Sequence, residues 1–174
     1  MQKHLLYKII SFLFLPIAAL LGLSTLVFLV VALANPPMLL GVFVLACVVI
    51  YIITSFIFLN KAIMLNHVCK RGLKDWIKVN AYVSIVFCFF TIFQLGGLIM
   101  QPELMDKMIR ETTEAQASYR GVSKEMMMKT VKAIIYFVFT FALVLLIHIF
   151  NTLRLLKMYR HLFDDAASPD DPQQ

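Results

Sequence analysis

His148 is the one imidazole inside a long apolar run of this chain. An ionisable side chain at membrane depth is by default a candidate for function, because its charged form is costly there. His148 shares a helical face with Thr140 and Asn151 and stands six residues before Arg154. That is roughly 9 Å along a helix at about 1.5 Å per residue, within reach of interfacial water. Otherwise its expected protein partner is Asn80 or Ser84. A second set of polar residues lies on the preceding apolar segment: Asn80, Ser84, Cys88, Thr91 and Gln94. At helical spacing they fall within an arc of about 120°, one stripe along one helix. Such a stripe either bonds to neighbouring helices or lines a path for a polar solute, and bonding is the expected role.

Other chemistry has little support. Every Asp and Glu lies outside the apolar segments, which weighs against proton-driven transport built on a membrane carboxylate. Cys47, Cys69 and Cys88 stand singly with no C-x-x-C, so disulfide exchange lacks its resolving partner. There is no Gly-rich phosphate loop, no H-E-x-x-H and no G-x-S-x-G. Seven of the nine internal methionines (38, 100, 105, 108, 126, 127 and 128) cluster at one set of helix ends and in the loop joining them. Thioether sulfur suits Cu(I), but without His or Cys beside them these side chains read as flexible apolar filler. No catalytic set, cofactor or metal is expected.

The elements that position these residues follow from hydropathy. The chain has 174 residues, 61% hydrophobic and 15% charged, with mean hydropathy +0.84. A soluble domain carries about 25% charged residues, so the solvent of this chain is lipid. From Ile9 to Asn60 there are 52 residues without a charge. A spanning helix needs about 20 residues, so the run is two spans, broken at Asn35-Pro36-Pro37. Pro16 is expected to bend the first span locally. The expected fold is all-α: a polytopic integral membrane protein with four transmembrane helices in two antiparallel hairpins. One membrane domain covers 1–163, with spans near 9–34, 38–59, 79–101 and 133–153. Ala32-Leu33-Ala34 after a basic start resembles a secretory cleavage site, but the apolar run exceeds a signal's usual length of about 7–15 residues. The first span is therefore read as uncleaved.

Between the third and fourth spans lies the polar segment 102–132. Leu104, Met105, Met108, Ile109 and Thr112 share a face, and Glu103–Lys107 and Asp106–Arg110 are acid-before-base pairs at i, i+4. This predicts an amphipathic helix in the outer loop. Gly121 is expected to end it and Ser123 to cap the next helix, with Glu125 in the first turn. Between the second and third spans, the unbroken helical pattern runs to Gly72. The expectation there is a tight hairpin: helix 2 ends near Arg71, Gly72 takes the left-handed position, and helix 3 starts near Leu73. The end of the chain, 164–174 (DDAASPDDPQQ), reads as a disordered acidic tail.

Charge sets the topology. The N-terminus, the Lys61–Lys78 segment and the C-terminus share a side in a four-span chain and carry two, five and three Lys or Arg. The other side carries six, and its first loop has none. Bases beside spans stay on the cytoplasmic side, so both termini are expected there, in a bacterial inner (plasma) membrane. Lys61, Lys70, Arg71, Lys74, Lys78, Arg154, Lys157 and Arg160 are then expected to face anionic lipid head groups. The net charge of +6 is explained this way and gives no reason to expect nucleic acid. The expected role is structural or interactive, an accessory membrane protein and not an enzyme. Its partners would be the bilayer and either a second copy of the chain or another membrane protein. The alternative is a channel or transporter for a small solute, using the stripe on the third helix.

Overall fold

The structure is a computed structural model, and it describes residues 5–120 and 124–164. Six elements follow one another: α1 (Leu5–Ala34), α2 (Met38–Phe58, extended by a π-helical turn, Leu59–Met64), α3 (Arg71–Ile99), α4 (Pro102–Arg120), α5 (Lys124–Met158) and α6 (His161–Asp164). Among the described residues there is no strand. Four of the helices are long and apolar enough to cross a membrane: α1, α2 with its π turn, α3 and α5. The fold is all-α and polytopic. Gly121, Ser123 and the tail from residue 165 onward lie outside the described residues.

The chain divides into two compact units. The first holds α1, α2, residues 71–85 of α3, residues 147–158 of α5, and α6. Its α1–α2 hairpin turns where the prolines require it. Asn35 N–H bonds to Ala32 O at 3.1 Å, and the Asn35 carbonyl accepts from Met38 N at 3.0 Å to start α2. The pair is antiparallel: Phe12 meets Phe56 edge-on at 5.2 Å, and further along, Gly22 faces Val49. α1 continues through Pro16 as one helix. Half of the most apolar stretch of α2 is buried, against 17% for α1. That contrast makes α2 the core helix, with Val48, Tyr51, Ile52 and Phe58 inside. The apolar face of α1, with Leu20, Leu23 and Val30 exposed, is the kind of surface lipid covers without cost.

The link after α2 corrects the expected hairpin. The helix does not run to Arg71. It ends at Met64 after the π turn, residues 65–70 are not helical, and α3 starts at Arg71. The left-handed residue is Asn66, at φ 53°, and Gly72 lies inside the first turn of α3. Asn is the residue besides Gly that tolerates this region readily. His67 N–H closes the end by bonding to Lys61 O at 2.9 Å, while Leu65 N–H bonds to Asn60 O at 3.1 Å. This is the 6→1 closure of a helix C-terminus, widened by one residue because the preceding turn is π. Cys69 N–H then bonds to Leu162 O at 2.8 Å, tying the link to α6.

The second unit holds residues 86–99 of α3, α4, and residues 124–146 of α5. α4 is amphipathic, as its pattern requires: Met105 and Ile109 are buried, while Glu103, Lys107 and Arg110 are exposed. Leu104, Met108 and Thr112, assigned to the same face, are also exposed, so the buried stripe is narrower than expected. Asp106, paired on paper with Arg110, meets Lys132 of α5 at 2.6 Å. Glu125 sits in the first turn of α5 and pairs with Lys129 at 2.7 Å. Gly96 of α3 faces Phe139 of α5, where an added Cβ would lie 3.5 Å from the ring, an ordinary contact.

Candidate functional site

Three helices of the first unit converge on His148, which is 1% exposed. Its Nε2 lies 2.9 Å from Ser11 Oγ of α1, and its Nδ1 lies 2.8 Å from Tyr51 Oη of α2. Tyr51 Oη is also 2.8 Å from Thr152 Oγ1 of α5, which in turn lies 3.3 Å from Tyr7 Oη of α1. The imidazole stacks on the Tyr7 ring at 4.8 Å and 9°, and Phe14 meets it edge-on at 5.3 Å.

The hydrogens can be assigned by counting donors and acceptors. Ser11 Oγ donates to Tyr7 O at 2.8 Å, so its oxygen is left to accept from His148 Nε2–H. Nδ1 is then the acceptor, and Tyr51 O–H donates to it. Thr152 Oγ1 has three oxygens within reach of its one proton: Tyr51 Oη at 2.8 Å, the His148 carbonyl at 2.9 Å and Tyr7 Oη at 3.3 Å. Through Ser11 the chain of bonds ends on the Tyr7 carbonyl. Four of these bonds join different helices, and at about 0.6 kcal/mol each they contribute roughly 2–3 kcal/mol.

Only His148 of this cluster stood out in the sequence, and its expected partners were wrong. Asn80 and Ser84 bond to their own helix: Asn80 Nδ2 donates to Trp76 O and Ser84 Oγ to Asn80 O, both at 2.7 Å. Both are buried, yet these donors find their acceptors without another helix. Further along the stripe, Cys88 is fully buried, Thr91 is half-buried and Gln94 is exposed. Gln94 lines an apolar cavity of about 760 Å³ in the second unit, with Gly96, Leu104 and Met108. Asn151 is exposed and bonds back to Ile147 O at 3.1 Å, and Thr140 to Tyr136 O at 2.8 Å. Neither reaches His148. The members that sequence reasoning missed left a faint signal: Tyr7/Ser11 and His148/Thr152 are polar pairs at i, i+4, each on one helix face.

The basic residues separate into two groups. Lys74, Lys78, Lys157 and Arg160 line one cavity of about 460 Å³ in the first unit, together with Tyr82. Leu153 and Leu156 complete its wall. Lys61, Lys70, Arg71 and Arg154 are exposed and lie outside that lining. Outside the spans, burial pushes the Cys69 thiol above its ordinary pKa, with Lys61 opposing the shift.

Fold and site together define an all-α protein whose four apolar helices suit a membrane, three of them knotted by a buried polar cluster. In comparisons with known families, curated proteins and solved structures, nothing matches this chain.

Proposed function

We propose that this chain is a structural or interaction component of a membrane, an accessory protein and not an enzyme. We place it in a bacterial inner (plasma) membrane, with both termini and the Lys61–Lys78 segment on the cytoplasmic side, where the bases meet anionic lipid head groups. The observation that carries the reading is the closed His148 cascade. A proton relay needs an acceptor that passes the proton on, and this chain of bonds ends at the Tyr7 backbone carbonyl. The imidazole, the side chain best suited to proton chemistry at neutral pH, is held by bonds that fix three helices together. The self-satisfied Asn80 and Ser84 support the same reading, since a solute path would have to compete with those bonds.

Cysteine accessibility tests it against transport through the third helix. With Cys47 and Cys69 replaced, Cys88 is the one remaining thiol, and further variants place single cysteines at Ser84, Thr91 and Gln94. Under the proposed reading, Ser84→Cys and Cys88 stay unlabelled by a membrane-impermeant maleimide until the protein is unfolded. Labelling of all four positions in the folded protein, with no protected middle, would establish a wet path and sink the accessory reading. A cytoplasm-specific reporter fused after Gln174 should be active, and one inserted near Ala117 inactive. The reverse pattern overturns the orientation.

A further inference from the structure

We propose that residues 86–99 of α3 form the face on which a second copy of this chain docks, with Gln94 pairing to Gln94. Gln94 lies inside the apolar interval between Lys78 and Glu103. It is nine residues before Glu103 and sixteen after Lys78, about 13 and 24 Å along the helix. At that depth in a membrane its surroundings are acyl chains. Its side chain is exposed, and its carboxamide makes no hydrogen bond among the described residues. Asn80 and Ser84 differ, because each donates to its own helix. A carboxamide carries both donors and an acceptor. Hydrocarbon offers a partner to neither, so leaving it unpaired is costly.

The face around Gln94 is shaped for another helix. Phe90, Gln94 and Gly97 fall within an arc of about 60°, and all three are exposed. Gly97 has open space where a Cβ would lie, whereas Gly96 beside it faces Phe139. Nothing in the chain itself uses the small size of Gly97, although glycine weakens a helix interior. At a helix surface in lipid, a small residue lets a second backbone approach closely. Gln94 and Gly97 also line the apolar cavity of about 760 Å³, with Leu104 and Met108 of α4. Phe93 and Met100 border the same hollow and are the most exposed of the large apolar side chains, at 82% and 84%. Protruding side chains beside a hollow suit a two-fold contact, in which one patch must fit itself. Acyl chains could fill the hollow but could not bond to Gln94. Two copies inserted with one orientation put both Gln94 side chains at the same depth, where carboxamides pair N–H to O in both directions. The inference rests on the membrane accessory reading above and names its partner.

The test follows energy transfer between two dye-labelled pools of the full chain in liposomes, as lipid is added at constant protein. Wild type should associate reversibly. Gln94→Leu should weaken association about 5–30-fold, the worth of an interhelical hydrogen bond in model membrane helices. Gly97→Leu should abolish association without lowering the SDS unfolding midpoint, since the chain leaves that space open. With Cys47, Cys69 and Cys88 replaced, Gln94→Cys should give a disulfide-linked dimer on oxidation with copper phenanthroline. Phe89→Cys should not, because Phe89 is exposed but lies about 140° around the helix from Gln94. A wild-type chain that stays monomeric at every lipid ratio overturns the proposal, as does a Gln94→Leu chain that associates like wild type. Equal cross-linking from the two positions would report random collision and overturn it too. Labelling of Gln94→Cys by a membrane-impermeant maleimide in the folded protein would mean that water satisfies the carboxamide, and would also sink the pairing. If Ser84→Cys and Cys88 stay unlabelled in that experiment, the accessory reading survives the failure.

Discussion

Replacing Tyr51 with Phe removes one oxygen and keeps the ring, so it isolates the hydroxyl at the hub of the His148 cluster. That oxygen makes two interhelical bonds, to His148 Nδ1 and to Thr152 Oγ1, both at 2.8 Å. Interhelical bonds in membranes average about 0.6 kcal/mol and reach about 1.7. Two average bonds give about 1.2 kcal/mol. The substitution also leaves Nδ1 buried without a donor, and such orphaned groups cost about 1–3 kcal/mol. Thr152 is less affected, because it can turn its proton to His148 O at 2.9 Å. The expected loss is therefore about 1.5–3 kcal/mol, most of it from the orphaned nitrogen. Reversible SDS titration of the detergent-solubilised protein reads this as a shift in unfolding midpoint. The double variant Tyr51→Phe/His148→Leu removes donor and acceptor together, and should be less destabilised than the two single losses added, by about 1 kcal/mol. A Tyr51→Phe protein within about 0.3 kcal/mol of wild type, or strict additivity in the cycle, would refute the cascade.

Asn66→Val should cost about 1–2 kcal/mol, the strain of placing an ordinary residue at φ 53°, whereas Asn66→Gly should cost far less in the same titration. Gly72→Ala should be neutral or stabilising by about 0.5–1 kcal/mol, because Gly72 is helical with open space around it. A destabilised Gly72→Ala protein would restore the left-handed assignment at Gly72. The Cys69 thiol, its pKa raised by burial against the pull of Lys61, holds less thiolate than a free thiol at any given pH. With Cys47 and Cys88 replaced, its alkylation in the folded protein should lag that in the SDS-unfolded protein near pH 8. The rate should climb only at higher pH, and equal folded and unfolded rates would contradict the shift.

Composition and local chemistry were enough to read the spans and the first break. Charge-free length marks four spans, because lipid cannot satisfy a backbone that leaves the helix. Asn35-Pro36-Pro37 marks the first break because Pro cannot donate to the helical ladder. The helix at Pro102–Arg120 was legible from its apolar spacing and charged opposite face. Where two residues could end a helix equally well, local chemistry did not choose. Gly72 and Asn66 both tolerate the left-handed conformation, and the π turn before Asn66 decided between them. The tertiary structure alone decided how the polar groups are partnered. Asn80 and Ser84 had a backbone carbonyl one turn away on their own helix, an acceptor that requires no other helix to approach. His148 needs an acceptor for Nε2–H and a donor for Nδ1, and it finds both on other helices. Ser11 and Tyr51 lie 137 and 97 residues away, and no spacing rule reaches across that separation. Packing of three helices brings them together. Likewise, eight bases signalled a charged face, but only the approach of α3 to the end of α5 selected four of them to surround one cavity.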